Sequence, residues 1–431
     1  MKSLSVAVAG LGTVGREAVR LLRARRAELR ERLGAELVLT AVADRDAARE
    51  ARALGLPPSV ARFRDPFEMI RRADPALCVE LLGGLEAPRR LAALVLGRGG
   101  VLVTANKRLL AHDWPRLAGA ARRSGARLAF EGSVAGGIPI LRALELSLSG
   151  DRLLGLDAIL NGTTNYVLTR CEEGLSAAAA LAEAQALGFA ERDPSLDLSG
   201  GDAAQKLTVL TGLATGGWLA PGSFPVDGIR AVETRDAAFA RERLGRAVRL
   251  VASLRLSGPP SAPRAEAGVF PTLVPLDHPL ASVRRQRNAL LIRTASAGDL
   301  LFSGEGAGAA PTASAVLADL FVTARDLLGG LPAPRPAPRR LEIVPPDEAV
   351  SAFYLRVEAA DRPGVLAAVA GALGRERVSI ASIHQEPARG RAASVTITTH
   401  PSPRALFERA RRRILALPAV SRRHCAMRML A

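Results

Sequence analysis

Over its first third, the chain arranges its apolar residues in two alternating rhythms. Short unbroken apolar runs have the composition of strands buried on both faces. They occur at residues 6–9, in "ELVLTAVAD" ending at Asp44, in "ALCVELLGG" (residues 76–84) and in "GGVLVTANK" (residues 99–107). Between the first two, residues 16–33 repeat apolar positions at Val19, Leu22, Leu29 and Leu33, which predicts one helix. "RLAFEGSVAGGIPI" (residues 127–140) reads as a further strand followed by a glycine-rich bend. Strand alternating with helix predicts a doubly wound parallel sheet over residues 1–135, an α/β class.

The rhythm changes afterwards. Over residues 136–305, strands such as "RLLGLDAILN" and "RLVASLRLSG" mix with helices such as "SAAAALAEAQALG", an α+β pattern. Residues 306–330 contain a long amphipathic helix, "PTASAVLADLFVTARDLLGG". Residues 331–349 are rich in proline and alanine without a period, as a linker would be. Residues 350–431 then read strand, helix, strand, strand, helix, strand, a small ferredoxin-like unit.

Composition narrows the class. The 431 residues are 48% hydrophobic, enough for two or three domains with cores. No apolar run is long enough to span a membrane. "MKSLSVAVAGLGTVG" reads as a strand entering a glycine loop rather than a signal peptide. Cys78, Cys171 and Cys425 are too few and too scattered for a disulfide framework or a zinc site, which points to a reducing cytoplasm. The formal net charge of +17 raises the idea of a nucleic-acid partner. Aromatics at 3% and dispersed arginines argue for no nucleic acid and for a basic surface that draws in small anions.

Gly10-Leu11-Gly12-Thr13-Val14-Gly15 is G-x-G-x-x-G between an expected strand and an expected helix. Gly10 permits the tight turn, Gly12 lets a pyrophosphate approach the backbone, and Gly15 lets the helix lie close to the strand. In that context the loop points to a dinucleotide. Asp44 and Arg45 follow at the end of the second strand. An acidic residue there favours NAD and an arginine favours NADP, so the choice stays open. Asp44 also lies 29 residues after Gly15, a longer interval than usual.

Lysine occurs only at Lys2, Lys107 and Lys206; every other basic residue of the Lys-plus-Arg set is arginine. Asp202 precedes Lys206 by four residues, on one helix face. A surface salt bridge is the bland account, but arginine would serve it equally well. Unlike arginine, lysine can lose its proton near neutral pH when desolvated, which favours a chemical role. Glu191, Asp193, Asp197 and Asp202 crowd a loop-like stretch with Pro194. They form either a solvated acidic loop or a site for an ammonium group.

These residues carry a family resemblance. "GLGTVG", "VTANK", "EGSVAGGIPIL", "LNGTTNYVL", "EAQALGFAERDPSLDLSGGDAAQKL", "DHPLASV", "GEGAGAAPTASAV" and "DRPGVLAAVAGAL" run in order along nearly the whole chain. It resembles the homoserine dehydrogenases of the longer, monofunctional kind that end in an ACT domain. The resemblance implies a Rossmann-like nucleotide domain (1–135), a substrate-binding and dimerisation domain (136–305), a helix returning to the first domain (306–330), a linker (331–349) and an ACT regulatory domain (350–431). It implies NAD(P)-dependent interconversion of L-homoserine and L-aspartate 4-semialdehyde, in threonine, methionine and isoleucine biosynthesis. Lys206 matches the family's proton donor and acceptor, oriented by Asp202. Lys107 matches the lysine between cofactor and substrate. Glu191, Asp197, Asp202, Gly162 and Thr163 match the substrate site. Gly10, Gly12, Thr13, Val14, Gly15, Asp44, Arg45, Gly306 and Gly308 match the cofactor site. Glu131, with Val134, Gly136 and Ile138, matches a monovalent-cation site, usually Na⁺. The resemblance further implies a homodimer or higher homo-oligomer. The ACT unit, with Gly364 at its first strand-to-helix turn, is either a threonine-binding or a purely structural module. Two other readings compete: a non-catalytic nucleotide- and amino-acid-sensing regulator, and another amino-acid dehydrogenase on the same scaffold.

Overall fold

A computed structural model describes residues 2–259, 262–333, 341–387 and 392–430. The chain forms two compact units. One comprises Met1–Arg152, Gln205–Pro221 and Gly304–Leu341; the other comprises Leu153–Ala204, Gly222–Ser303 and Glu342–Ala431. These units do not follow the segmentation read from sequence. Residues 205–221 group with the nucleotide-domain segment, and the C-terminal residues group with the middle segment. Residues 334–340 of the expected linker lie outside the described residues. Among the described residues, no helix is long and apolar enough to cross a membrane.

The first unit is built on six strands: β1 (Lys2–Ala9), β2 (Ala35–Ala43), β3 (Ala61–Phe63), β4 (Leu77–Glu80), β5 (Val101–Thr104) and β6 (Arg127–Ala129). They pair in parallel in the order β3-β2-β1-β4-β5-β6. Both β4 and β5 are buried along their full length, which is why they read as apolar runs. The order reverses between β1 and β4, so the glycine loop after β1 sits at the switch point. The helix Ala309–Leu328 returns to this sheet, and its Val316 and Leu320 join Val8, Val42, Val79 and Val103 in one core.

Two local expectations change here. Residues 16–33 form two helices, Thr13–Ala24 and Arg26–Leu33, broken at Arg25. The polar run around Arg23, Arg25 and Arg26 offers no apolar position to hold one straight axis on the core. The stretch after Ala129 is not strand. Glu131–Ser133 forms a 3₁₀ turn, Ala135 takes φ 47°, and Gly136 and Gly137 donate to the carbonyls of Gly306 and Glu305. A Cβ on Gly137 would stand 2.5 Å from the Glu305 carbonyl oxygen, so only glycine fits that approach.

The second unit carries a mixed sheet. Its strands are β7 (Leu153–Ile159), β8 (Arg246–Ser257), β9 (Arg264–Pro275), β10 (Arg287–Thr294), β11 (Asp299–Glu305), β12 (Glu342–Ile343), β13 (Val350–Ala360), β14 (Ile380–Pro387), β15 (Ala392–Thr399), β16 (Ser402–Pro403) and β17 (Val420–Met429). The main path runs β11-β10-β7-β8-β9-β17-β13-β15-β14, with β12 on β9 and β16 on β13. The C-terminal part has the strand order and the two helices, Val365–Arg375 and Arg404–Leu415, expected of a ferredoxin-like unit. Phe353 stacks on Phe407 in its core, with ring centroids 4.1 Å apart. Parallel pairing of Arg428 with Thr272 and Met429 with Leu273 joins its last strand to β9, so the middle and C-terminal sheets are continuous.

Candidate active site

The glycine loop has the geometry its motif requires. Gly10 takes φ 97°, and a Cβ there would lie 2.5 Å from the Leu81 carbonyl oxygen. At Gly12 a Cβ would meet nothing within 4 Å, so the backbone is open to an incoming phosphate. Thr13 opens the helix that Val14 and Gly15 continue. Asp44 turns back to the loop: Oδ2 accepts from the Leu11 amide at 2.8 Å and Oδ1 from the Asp46 amide at 3.1 Å. Arg45 beside it is exposed.

A cleft of about 690 Å³, including its open mouth, lies within the first unit. Val14 of the glycine loop lines it, with Leu81, Leu82 and Asn106 from the ends of β4 and β5. Both Lys107 and Lys206 line it too, as do Gly306 and Thr312. Lys107 is the first residue of the helix Lys107–Ser124, whose N-cap Asn106 accepts from the Leu109 amide through Oδ1 at 3.0 Å. Lys206 lies in the helix Gly201–Thr215 and is 6% exposed. Gly308 is the N-cap of the returning helix with φ 112°.

Beside this cleft, Gly132, Ser133 and Ala135 of the Glu131–Ile138 loop form one wall. Glu131 is buried, and its carboxylate accepts from the Leu141 and Arg142 amides at 3.0 and 2.9 Å. Its own amide donates to Asp319 at 2.8 Å, and Asp319 pairs with Arg142 at 2.5 Å. Burial pushes the Glu131 carboxyl up and raises Asp319 to about 7, against the pull of Arg142. Val134, Gly136 and Ile138 follow Glu131 in the same stretch of chain. Among the described residues, no three His, Cys, Asp or Glu side chains gather as a metal cluster.

The second unit gathers the acidic residues around an amide. Asn161 caps the helix Gly162–Glu172, accepting from the Thr164 amide at 2.8 Å through Oδ1. Its Nδ2 donates to Asp197 at 2.7 Å and to Asp202 at 2.8 Å. Thr163 Oγ1 donates to the Phe189 carbonyl at 2.7 Å. A Cβ on Gly162 would stand 2.7 Å from the Gln286 carbonyl oxygen. Glu191 is exposed, anchored through its carbonyl by Gln185 Nε2 at 3.1 Å. The segment is not all loop, because Ser195–Leu198 forms one helical turn.

Several polar residues escaped the sequence reading. Asn161 was legible as a helix cap ahead of "GTTNY", but its double bond to Asp197 and Asp202 was not. Asn106, which lines the cleft, and the buried Glu80 and Thr104 bonded behind it gave no signal beyond single polar letters ending apolar runs.

A family model described as homoserine dehydrogenase matches residues 139–321, and one described as homoserine dehydrogenase, NAD binding domain, matches residues 10–131. The chain belongs to the homoserine dehydrogenase family. An ACT domain model matches residues 353–419. A homoserine dehydrogenase of Neisseria gonorrhoeae is 37% identical, over 100% of this chain and 99% of that one. The crystal structure of a homoserine dehydrogenase from Thiobacillus denitrificans superposes with a TM-score of 0.91 at 34% identity, covering 100% and 99% of the two chains. A hyperthermophilic archaeal homoserine dehydrogenase in complex with NADPH covers 77% of this chain and 99% of its own, at 28% identity and a TM-score of 0.64. Like the family, this chain is an NAD(P)-dependent oxidoreductase.

Proposed function

We propose that the chain interconverts L-homoserine and L-aspartate 4-semialdehyde with NADP as the preferred cofactor. The observation that carries the reading is the cleft beside the glycine loop, which Lys107 and Lys206 both line. The open backbone at Gly12, at a helix N-terminus, suits a pyrophosphate. When bound, the nicotinamide supplies or accepts the hydride. Lys206 gives a proton to the alkoxide oxygen that forms from the aldehyde, and takes it back in the oxidative direction. Lys107 holds that oxygen or relays the proton. Asp197 and Asp202, which Asn161 holds together, and Glu191 bind the substrate ammonium group, with Gly162 and Thr163 touching the substrate.

Asp44 already accepts two backbone amides while Arg45 stands exposed, which supports a 2′-phosphate partner at Arg45. Around the Glu131 loop, two buried carboxylates lie close together: Glu131 accepts the Arg142 amide, and Asp319 accepts the Glu131 amide and the Arg142 guanidinium. That excess of negative charge suits a monovalent cation such as Na⁺, held by Glu131 and the carbonyls of Val134, Gly136 and Ile138. We assign the ACT domain a threonine effector and the middle sheet a homodimer contact.

Initial rates with L-homoserine and NADP or NAD, with and without threonine and Na⁺, test these assignments together. Turnover with homoserine, faster with NADP, is expected. No turnover with either cofactor rejects the substrate. Equal rates reject the NADP preference, and indifference to threonine or Na⁺ rejects those two roles.

A further inference from the structure

Glu80 ends β4, an otherwise apolar strand, and is fully buried. A carboxylate there is costly unless its oxygens are bonded. Oε1 accepts from the Leu82 amide at 2.7 Å, and Oε2 accepts from Thr104 Oγ1 at 2.5 Å, across the register that pairs Glu80 with Thr104 on β5. Thr104 Oγ1 in turn accepts from the Asn106 amide at 3.0 Å. Asn106 closes the net by donating Nδ2 to the Gly84 carbonyl at 3.1 Å while its Oδ1 caps the Lys107–Ser124 helix.

This net ties together the two loops that leave β4 and β5. Leu82 on one loop and Asn106 and Lys107 on the other line the cleft. The tie also reaches the glycine loop, because the Leu81 amide donates to Ala9 at 2.8 Å and the Leu81 carbonyl packs on Gly10. The chain of bonds has a fixed direction. Thr104 receives the Asn106 N–H and gives its own hydrogen to Glu80, whose second oxygen accepts the Leu82 amide. An amide at position 80 would place N–H₂ against a donor and break the order.

We infer that Glu80 is a positioning residue: through Thr104 and Asn106 it fixes the loop that carries Lys107 against the Leu82 wall, and so sets where the reacting groups stand in the cleft. The inference rests on the assignment of Lys107 to that cleft. Burial supports it, since a carboxyl pushed up to about 7 is retained in the core where an apolar residue would fit the strand more simply.

The test uses Glu80→Gln, Thr104→Val, their combination, and Thr104→Ser in the full chain, with kcat and the KM of each substrate measured well below the melting temperature. Glu80→Gln and Thr104→Val should each lower kcat roughly ten- to hundred-fold. Together they should lose no more than either alone, because they cut one net. Thr104→Ser should restore wild-type kinetics. Wild-type kcat in either Glu80→Gln or Thr104→Val overturns the inference, as does an additive loss in the combination. If Glu80→Gln does not fold, the near-isosteric Thr104→Val and its serine rescue decide alone. Lys107→Ala separates the two levels. Full activity there removes the role of Lys107 itself. A crippled Lys107→Ala beside a silent Thr104→Val removes only the role of Glu80.

Discussion

Arg356 grips Asp236 with two nitrogens, Nε at 2.5 Å and Nη2 at 3.0 Å, in a pocket where both side chains are buried. Tyr354 donates its hydroxyl to the same carboxylate at 2.8 Å, and Glu233 lies 3.4 Å from Arg356. Asp236 belongs to the helix Thr234–Leu244 and Arg356 to β13 of the ACT part. A buried bidentate pair thus fastens the ACT part to that helix inside one compact unit, in addition to the β9–β17 strand pairing.

Removing one partner leaves the other charge buried without its counter-ion. Arg356→Leu or Asp236→Leu should each destabilise the second unit by about 3–5 kcal/mol, while replacing both by leucine should cost much less. Urea unfolding of the full chain measures this. Single variants within about 0.5 kcal/mol of wild type would show that the clamp is idle.

Asn161 keeps two carboxylates together and caps a helix, so its loss should act twice. Asn161→Ala should cost about 1 kcal/mol of stability through the cap. With the amide gone, Asp197 and Asp202 repel and splay, and the KM for homoserine should rise roughly ten-fold at unchanged cofactor KM. Asn161→Asp keeps the cap but sets a third carboxylate against Asp197 and Asp202, so it should restore neither stability nor KM. A stability loss with unaltered homoserine KM would remove Asn161 from the substrate site.

Lys206 is asked to exchange a proton, and charge alone does not do that. Lys206→Ala should lower kcat by about 10²–10⁴ with the fold intact. Lys206→Arg keeps the positive charge on a group that stays protonated at any working pH, so it should not recover the rate. Near-wild-type turnover in the arginine variant would make Lys206 an electrostatic residue only.

How far the sequence revealed this molecule depends on where each residue's partner lies. β4 and β5 were legible because both faces of each strand are buried, which leaves an unbroken apolar run. The glycine loop was legible because its six-residue pattern is itself the signal: Gly10 takes φ 97° and Gly15 packs on the Gly10 carbonyl. The residues after Ala129 were misread as strand because the reason for Gly137 is the Glu305 carbonyl, far along the chain. The Arg356–Asp236 clamp joins residues 120 apart, each of which reads alone as an ordinary surface charge. Glu80 has the same problem: its partner is set by the register of a neighbouring strand, which no local pattern encodes.

Burial of Glu80 also makes stability depend on pH, with a definite sign. Its carboxyl rises from 4.5 to about 7 in the folded chain, chiefly through desolvation, against the bonds from Thr104 and Leu82. Between those values the folded chain keeps a proton that the unfolded chain has lost. The contribution is therefore full below the unfolded value and is lost as pH rises through about 7, a swing of about 3 kcal/mol. Glu131 and Asp319 shift in the same direction, so wild-type stability alone does not isolate Glu80. Glu80→Gln cannot titrate, and the wild-type minus variant stability should fall by that swing from about pH 4 to about pH 8. Parallel curves for the two chains would mean that Glu80 titrates alike folded and unfolded, and that its carboxylate is solvated rather than held in the core.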